Sequence, residues 1–388
     1  MNNGTGVKTD GPENPPNEPF NVLLVDDSAV VRGMLCRILE CDPGIKVVAT
    51  VANGEMAIKA LARHPVDVVV LDIEMPVMDG LTALPKLIEV DPNVKVIMAS
   101  TLTMRNADIS LKALQLGAAD YVAKPTAAGV IASGYDFRHE FLSKVKALGA
   151  ARRRGKGFAG PTTEAGAGRA TRGAQPAKAR KAHKSAEISL RRALVPVPEV
   201  VAIGSSTGGP QALFTLFPGL VEKITQPILL TQHMPVTFTT ILAEHIGKVC
   251  GRPCAEAVNG ESILEGRIYV APGNYHMMVE EADGKRIRLS QHPPENFCRP
   301  SVDPMLRSLA RVYGRRVLSV ILTGMGQDGL KGGEAVTEAG GAVIAQDEET
   351  SVVWGMPGAV AMAGLCSAVL PLDSIVPYVS KIVMRPAA

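Results

Sequence analysis

Short apolar runs that end in small or polar residues alternate with stretches of helical periodicity along most of the chain. In the first third, strands are predicted at 21–25, 46–51, 67–71, 94–99 and 121–123, and helices at 29–39, 55–63 and 107–116. This alternation predicts a parallel, doubly wound sheet. Pro85 interrupts the helix expected after Gly80, so we expect that helix to start near Pro85 or to be kinked there.

The second half repeats the same alternation. Its apolar runs predict strands at 200–203, 227–231, 268–271, 317–322 and 341–345. We therefore predict a second α/β domain with a largely parallel sheet. The segments 277–279 and 287–289 are predicted to form an antiparallel hairpin, because Asp283-Gly284 supplies a suitable turn between them.

Polar residues follow the predicted strands of the first domain. Asp26 and Asp27 end the first strand, Asp72 the third, Ser100 the fourth and Lys124 the fifth. Parallel strands present their carboxyl ends at one edge of a sheet, so these groups are expected to converge. Three carboxylates in one crevice favour Mg²⁺, and Asp72 is then placed to accept a phosphoryl group, with Lys124 and Ser100 beside it. Any one of these aspartates could instead cap a helix.

Residues 20–148 resemble the receiver domain of bacterial two-component response regulators. The resemblance rests on Asp26-Asp27, the segment 71–80 around Asp72, Ser100 and the segment 121–125. It implies a flavodoxin-like fold and Mg²⁺-dependent phosphorylation of Asp72 by a histidine kinase, with the metal held by Asp26, Asp27 and Asp72. Ser100, Tyr121 and Lys124 fall at the positions of the family's switch residues.

Composition narrows the class of protein. The 388 residues are enough for two to three domains, and 46% are hydrophobic but only 4% aromatic, which is typical of aliphatic α/β cores. No run of about 18 apolar residues and no signal peptide are present, so we expect no membrane insertion. The six cysteines lack CxxC spacing, which argues against a disulfide framework or a zinc site and favours a cytoplasmic location.

Charge is distributed unevenly. The net charge of +3 combines +10 between 149 and 192 with −7 over the rest of the chain. We interpret 149–195 as a flexible basic linker and 1–19 as a disordered tail, because neither can bury a core. The linker could contact nucleic acid, an anionic membrane or an acidic partner, but a solvated linker is the favoured interpretation. The linker lacks the interleaved basic and aromatic residues that indicate nucleic-acid binding.

The segment Gly204-Ser205-Ser206-Thr207-Gly208 follows a buried strand and has the spacing of a nucleophile elbow. Alone it could equally be a glycine-rich turn that binds phosphate or nothing. A serine nucleophile requires a base, and His233 follows the next predicted strand, so it is expected at the same sheet edge. Asp328 follows a later strand and could orient the imidazole.

Other histidines are weaker candidates for the base. His64 and His139 belong to the first domain, His183 to the linker, and His245, His276 and His292 are expected to have surface or hydrogen-bonded structural roles. The chain order Ser, His, Asp differs from that of α/β-hydrolases, so the elbow is expected on another fold. Backbone N–H groups near Thr207 and Met325 are the expected oxyanion donors.

Residues 198–372 resemble the catalytic domain of the chemotaxis protein-glutamate methylesterases. The matching segments are 202–209, 232–235, 271–273, 299–303, 322–329, 346–348 and 355–357. The resemblance implies a Rossmann-like domain over 196–388, with Ser206 as nucleophile, His233 as base, Asp328 as orienting acid, and Thr207 and Met325 at oxyanion and site-lining positions. Ser205 and Gln327 depart slightly from the family pattern, and Cys298 stands where histidine is expected.

The resulting hypothesis is an esterase that hydrolyses glutamyl methyl esters on chemoreceptors and deamidates certain receptor glutamines. It needs no cofactor for the ester chemistry and is expected to act as a monomer. The unphosphorylated receiver would cover Ser206, and phosphorylation of Asp72 would uncover it. Two alternatives stay open: a non-catalytic signalling adaptor, and a DNA-binding regulator, although no helix-turn-helix pattern is present.

Overall fold

The structure of the protein is a computed structural model that describes residues 18–101, 103–124, 134–156, 188–191 and 197–384. Most of the expected tail (1–19) and most of the expected linker (149–195), including His183, lie outside the described residues. Helix α5 (Gly134–Lys156) continues eight residues beyond Leu148, where the sequence pattern placed the end of the first domain. Its final turns carry Arg152 and Arg153, which pair with Asp67 of the first domain.

A five-stranded parallel sheet forms the first domain, with the strand order β2-β1-β3-β4-β5. Its strands are β1 (Phe20–Val25), β2 (Ile45–Val51), β3 (Val68–Asp72), β4 (Lys95–Ser100) and β5 (Asp120–Ala123). Its helices, before α5, are α1 (Ala29–Glu40), α2 (Gly54–Leu61), α3 (Gly80–Val90) and α4 (Met104–Gln115). The predicted doubly wound fold is confirmed, and all five strand ends lie at the edge where the polar residues were expected.

Helix α3 does not start near Pro85, which was one of the two predicted outcomes; the other was a kink at that proline. It begins at Gly80, with Pro85 inside the helix. The start is set by Asp79, whose carboxylate accepts a hydrogen bond from the Thr82 N–H at 2.7 Å. This N-cap satisfies one of the unpaired N–H groups of the first turn and therefore stabilises a start five residues before the proline.

A seven-stranded sheet forms the second domain, with the strand order β14-β13-β12-β6-β7-β9-β8 and parallel pairing throughout. Its strands are β6 (Val200–Ser205), β7 (Ile228–Gln232), β8 (Cys254–Glu256), β9 (Ile268–Val270), β12 (Val317–Ile321), β13 (Ala342–Gln346) and β14 (Cys366–Leu370). Its helices are α6 (Gly209–Val221), α7 (Phe238–Cys250), α8 (Val302–Tyr313), α9 (Leu330–Glu338), α10 (Met356–Met362) and α11 (Leu372–Val383). The two edge strands, β8 and β14, were not predicted.

A separate hairpin of β10 (His276–Glu281) and β11 (Lys285–Ser290) covers one face of this domain. Val279 pairs with Ile287 and Met277 with Leu289, which confirms the predicted hairpin and its register. Asp283 and Gly284 both adopt positive φ angles in the turn, a conformation that Asp and Gly tolerate better than other residues.

The central strands of the seven-stranded sheet are buried on both faces. Every residue of β6, β7 and β12 is buried, which explains why these segments are continuous apolar runs rather than alternating patterns. Because β6 lies between β12 and β7, the segments that follow these three strands are neighbours at one edge of the sheet. No helix of the described residues is long and apolar enough to cross a membrane.

The two domains are in contact. Tyr121 of β5 stacks on Phe238 of α7 with ring centroids 4.3 Å apart. Asp108 of α4 lies 2.9 Å from Nε2 of His245, and Gln211 of α6 donates to backbone carbonyls at the C-terminal end of α4 and the loop after it. These contacts place β5 and α4 of the first domain against α6 and α7 of the second domain.

The central strand β6 should control the stability of the second domain. Replacing Ile203, which is fully buried, with alanine should lower the free energy of unfolding by about 2–5 kcal/mol. Urea unfolding followed by fluorescence reports on this domain, because the chain's one tryptophan, Trp354, lies within it. The exposed Val258 provides the control, since Val258→Ala should change stability by less than about 0.5 kcal/mol.

Candidate active site

Ser206 lies in the turn between β6 and α6. Gly208 has a φ angle of 76°, and a Cβ atom on Gly209 would come within 2.0 Å of the Gln232 side-chain oxygen, so both glycines are required by this turn. The Ser206 N–H donates to the Thr323 carbonyl at 3.0 Å, and its carbonyl accepts from Gln232 Nε2 at 2.9 Å. The backbone of Ser206 is therefore held from both neighbouring strands.

Ser205, where the family pattern often has alanine, takes part in this support. Its hydroxyl donates to Gln232 Oε1 at 2.6 Å, and both side chains are buried. The departure from the pattern is therefore accommodated by a hydrogen bond that fixes the amide of Gln232 against the elbow.

His233 follows β7 and contacts the orienting acid that the sequence predicted. Its Nε2 atom lies 2.7 Å from Oδ2 of Asp328. An ionised carboxylate can only accept hydrogen bonds, so the proton of the neutral imidazole is assigned to Nε2, which leaves Nδ1 as the nitrogen with a free lone pair. This is the reverse of the serine-protease arrangement, where Nδ1 faces the acid.

Six donors converge on the buried carboxylate of Asp328. They are His233 Nε2, Asn296 Nδ2, the Ser301 hydroxyl and the N–H groups of Val302, Asp303 and Gly329. Burial alone would raise the pKa of Asp328, but the hydrogen bonds and the charge of His233 lower it below its usual value. Asp328 is thus a permanent negative charge at neutral pH.

The pKa of the His233 imidazole is set by burial and by two neighbouring side chains. Burial opposes protonation of His233, but the neighbouring Cys298 and Asp328 outweigh it and raise the pKa of His233 well above its usual value. Both neighbours therefore stabilise the imidazolium relative to the neutral ring, and only the neutral ring, with Nδ1 unprotonated, can act as a base.

Ser206, His233, Met325 and Asp328 line one cavity of about 510 Å³. The structure thus brings together the three candidate catalytic residues at one edge of the sheet. No hydrogen bond joins the Ser206 hydroxyl to the imidazole among the described residues. Instead, Nδ1 lies 3.3 Å from Sγ of Cys298, a residue that the sequence analysis had noted only as a departure from a pattern.

Of the two expected oxyanion donors, Met325 lines this cavity, and Thr207 is buried next to Ser206 in the elbow. Within the described part of the chain, neither the Thr207 N–H nor the Met325 N–H has a hydrogen-bond partner. The Thr207 side chain has a different role, because its hydroxyl donates to Asp120 of the first domain at 2.7 Å. Met325 packs against a hydrophobic cluster that combines residues of the first domain with Val353 of the second.

The acidic residues of the first domain also converge. Oxygen atoms of Asp26, Asp27 and Asp72 all lie within 4.8 Å of one another, close enough to bind one metal ion together. Lys124 Nζ pairs with Asp26 at 2.7 Å and with Asp72 at 2.6 Å. Burial raises the pKa of Asp72, although Lys124 opposes the change. A hard divalent cation fits this all-oxygen cluster.

Ser100 and Tyr121 lie on the neighbouring strands β4 and β5, and Tyr121 contacts the second domain. The Ser100 hydroxyl accepts from the Ser110 hydroxyl of α4 at 3.1 Å. Tyr121 is buried against Phe238, and burial raises the pKa of its hydroxyl well above the usual value. Sequence reasoning did not identify Phe238, Asp120 or Asn296 as neighbours of these sites, since their contacts join distant parts of the chain.

The remaining histidines lie away from Ser206 or have structural contacts. His276 is buried, accepts from the Ser301 N–H at Nδ1 and lies 3.1 Å from the Pro293 carbonyl at Nε2, which confirms its expected structural role. His245 belongs to the interdomain contact with Asp108. His139, on α5, reaches the same cavity from the first domain.

Comparison with known proteins is decisive for the family. The model of the CheB methylesterase family matches residues 201–379, and that of the response regulator receiver domain matches 22–134. A protein-glutamate methylesterase/protein-glutamine glutaminase from Rhodospirillum rubrum is 60% identical over 94% of this chain and 95% of its own length. The chain belongs to the CheB methylesterase family.

Other members of the CheB methylesterase family agree with this assignment. A protein-glutamate methylesterase/protein-glutamine glutaminase from Rhodospirillum centenum is 57% identical over the full length of both chains. Among solved structures, the Thermotoga maritima CheB methylesterase catalytic domain is 40% identical, covers 48% of this chain and 99% of its own, and has a TM-score of 0.47. The two family models and the two relatives with 60% and 57% identity confirm the family resemblance recognised in the sequence.

The charge of Asp328 should set the protonation of His233. In Asp328→Asn the imidazole loses an ionic partner, so the pKa of His233 should fall by about one unit or more. NMR titration of protein with ¹³C-labelled histidine measures this shift directly. Asp283→Asn, in the exposed hairpin turn, removes a distant carboxylate and should leave the titration of His233 unchanged; an equal shift in both variants would contradict the assignment.

Proposed function

We propose that this protein is a phosphorylation-activated protein-glutamate methylesterase that hydrolyses glutamyl methyl esters on chemoreceptors and deamidates specific receptor glutamines. The observation that supports this most strongly is the pair of His233 and Asp328 beside Ser206 in one cavity. The activities named for the relatives with 60% and 57% identity support the same chemistry.

In the proposed reaction, Nδ1 of His233 takes the proton of the Ser206 hydroxyl as its oxygen attacks the glutamyl carbonyl. The N–H groups of Thr207 and Met325 stabilise the negative charge that develops on the carbonyl oxygen. The imidazolium then donates its proton to the departing methoxide, which leaves as methanol. Water, deprotonated by the same nitrogen, hydrolyses the glutamyl ester of Ser206; with a glutamine substrate the leaving group is ammonia.

The role of Asp328 in this proposal is electrostatic. Its carboxylate keeps the imidazole in the tautomer with Nδ1 unprotonated and stabilises the imidazolium that forms during attack. The six hydrogen bonds keep it charged and immobile, so the ring orientation is set before substrate binds. The proposed hydrolysis therefore relies on the side chains of Ser206, His233 and Asp328 and uses no metal ion.

The first domain supplies part of the cavity wall, which supports a regulatory role. Tyr121, Ala123, Glu140 and Lys144 line the cavity together with Ser206. A receptor helix would have to reach Ser206 through the space that these side chains border. We infer that the unphosphorylated first domain restricts the entrance and that its displacement increases activity.

Phosphorylation of Asp72 by a histidine kinase is the proposed signal. Asp26, Asp27 and Asp72 would hold Mg²⁺, which when bound offsets the negative charge of the phosphoryl group. A phosphoryl group on Asp72 would attract Lys124 and the Ser100 hydroxyl, and the latter would then leave Ser110 of α4. Since α4 also carries Asp108, this rearrangement would change the contact between Asp108 and His245.

A non-catalytic adaptor is the second candidate, and one specific observation favours it: the Ser206 hydroxyl makes no hydrogen bond to His233 in this state. Measurement of methanol release distinguishes the adaptor from the enzyme.

Removal of the Ser206 hydroxyl should abolish the proposed activity. On receptor-containing membranes with radiolabelled methyl esters, Ser206→Ala should release methanol at least about 10³-fold more slowly than wild type, because the nucleophile is lost. Ser290→Ala, in the hairpin away from the cavity, should retain wild-type activity. Equal rates for wild type and Ser206→Ala would favour the adaptor.

Removal of the phosphorylation site should abolish activation. With Mg²⁺ and a small acyl phosphate as donor, wild type should release methanol faster than without donor, whereas Asp72→Asn should show the same rate in both conditions. The asparagine preserves the size of the side chain but is not a phosphoryl acceptor. Activation of Asp72→Asn to the wild-type level would place the signal elsewhere.

A further inference from the structure

Cys298 contacts the nitrogen on which the proposed reaction depends. Its Sγ atom lies 3.3 Å from Nδ1 of His233, within hydrogen-bonding range for sulfur, and it borders the same cavity as Ser206. Because Asp328 engages Nε2, Nδ1 is the imidazole's one remaining site for a second partner. The thiol and the Ser206 hydroxyl would therefore have to compete for it.

The loop that carries Cys298 has an unusual backbone. Glu295 and Cys298 form an isolated antiparallel bridge, and the two residues between them, Asn296 and Phe297, adopt φ angles of 52° and 62°. Such angles are costly for a phenylalanine. Asn296 anchors one side of the loop, because its amide donates to both Asp328 and Asp303 at 2.9 and 3.0 Å.

The other side of the loop faces the first domain. Phe297 is 81% exposed, and its ring centroid lies 5.1 Å from that of His139 on α5. The first domain is thus in contact with the residue immediately before Cys298. Displacement of the first domain would remove this contact while leaving the Asn296 anchor in place.

We propose that Cys298 is a positioning residue that occupies Nδ1 of His233 in the unphosphorylated protein, and that the contact between His139 and Phe297 holds it there. This inference rests on the proposed function. The proposed regulation would then have two parts: the entrance is sterically restricted, and the base itself is restrained. In the resting state the sulfur occupies the proton-accepting nitrogen, and release of the loop makes this nitrogen available to Ser206.

The proton balance of this state is simple. The thiol either donates its hydrogen bond to Nδ1 or transfers the proton to it, which leaves a thiolate beside an imidazolium; in both forms Nδ1 is unavailable to Ser206. The other charged groups around the ring are Asp328 on Nε2, Asp303 behind Asp328, and His139, Glu140, Lys144 and Arg299 along the cavity. Loss of the sulfur leaves these groups in place, so its effect can be separated from theirs.

The test compares methanol release by the full-length wild type and by Cys298→Ala, each with and without Mg²⁺ and an acyl phosphate. Without donor, Cys298→Ala should be about fivefold faster than wild type, the factor that corresponds to a hydrogen bond worth ~1 kcal/mol. With donor the two rates should be similar. The acid limb of the pH dependence of kcat/KM should also move. It should move to lower pH where the resting pair is thiolate and imidazolium, because the anion that favours protonation is lost, and to higher pH where the thiol donates to the neutral ring, because that hydrogen bond no longer opposes protonation.

Two further variants complete the design. Phe297→Ala changes an exposed side chain and should raise the rate without donor in the same direction as Cys298→Ala, while retaining the wild-type pH dependence with donor. Cys250→Ala removes a half-buried thiol of α7 that lies away from the cavity and should match wild type in every condition.

The outcomes are distinct. If Cys298→Ala lowers the rate equally with and without donor and leaves the acid limb in place, the thiol is a packing group and the proposal is wrong. If the rate without donor and the pH dependence are both unchanged, it is also wrong. If wild type itself releases no methanol, the proposed function fails first, and this result is separate from either outcome for Cys298.

Discussion

The site is organised around a buried negative charge on Asp328. Moving an unpaired carboxylate from water into a protein interior costs several kcal/mol, so it persists only where donors replace the lost water. Here half of the six donors are backbone N–H groups, two at the start of α8 and one of Gly329, and the other half are side chains. Helix N-termini carry a partial positive charge, so α8 both supplies the donors and favours the anion electrostatically.

A second buried carboxylate, Asp303, makes this arrangement more demanding. It lies in the first turn of α8, accepts hydrogen bonds from the N–H groups of Gly329 and Gly332, and shares the amide of Asn296 with Asp328. Burial and the neighbouring charge of Asp328 raise the pKa of Asp303. The two carboxylates repel each other, and their shared donors hold the turn before α9 in one conformation. Asp328 lies in that turn, so the turn also fixes the orientation of the His233 imidazole.

Much of this could be predicted from the sequence, because the relevant signals are local. The predicted strands of the two parallel sheets are short apolar runs, and residues after such runs meet at one edge whatever the strand order. Ser206, His233, Asp328 and the three aspartates were therefore recognisable before their distances were known. The edge strands β8 and β14 were missed because they are short or only partly buried. The start of α3 was missed because the N-cap formed by Asp79 depends on a side-chain rotamer, which the sequence does not show.

What the sequence could not reveal are contacts between segments that have no shared pattern. Cys298 and His233 are 65 residues apart, Thr207 and Asp120 are 87 apart, and no periodicity relates them. The same limit applies to the tautomer: the sequence predicts that an acid orients the imidazole, but only the position of Asp328 at Nε2 shows which nitrogen is left for the proton. Departures from a family pattern, such as Cys298 in place of histidine, were visible, yet their meaning depended on the distance.

The interdomain contact combines polar and apolar side chains. Its polar part joins Thr207 with Asp120, His245 with Asp108, and Gln211 with backbone carbonyls, and its apolar part includes the stacked Tyr121 and Phe238. Water can replace each of these hydrogen bonds when the domains separate, so their net contribution is about 1 kcal/mol each, whereas the apolar surface exposed on separation is not compensated in this way. Since Tyr121 takes part in that contact and also borders the cavity of Ser206, a shift of this side chain changes the domain contact and the entrance together.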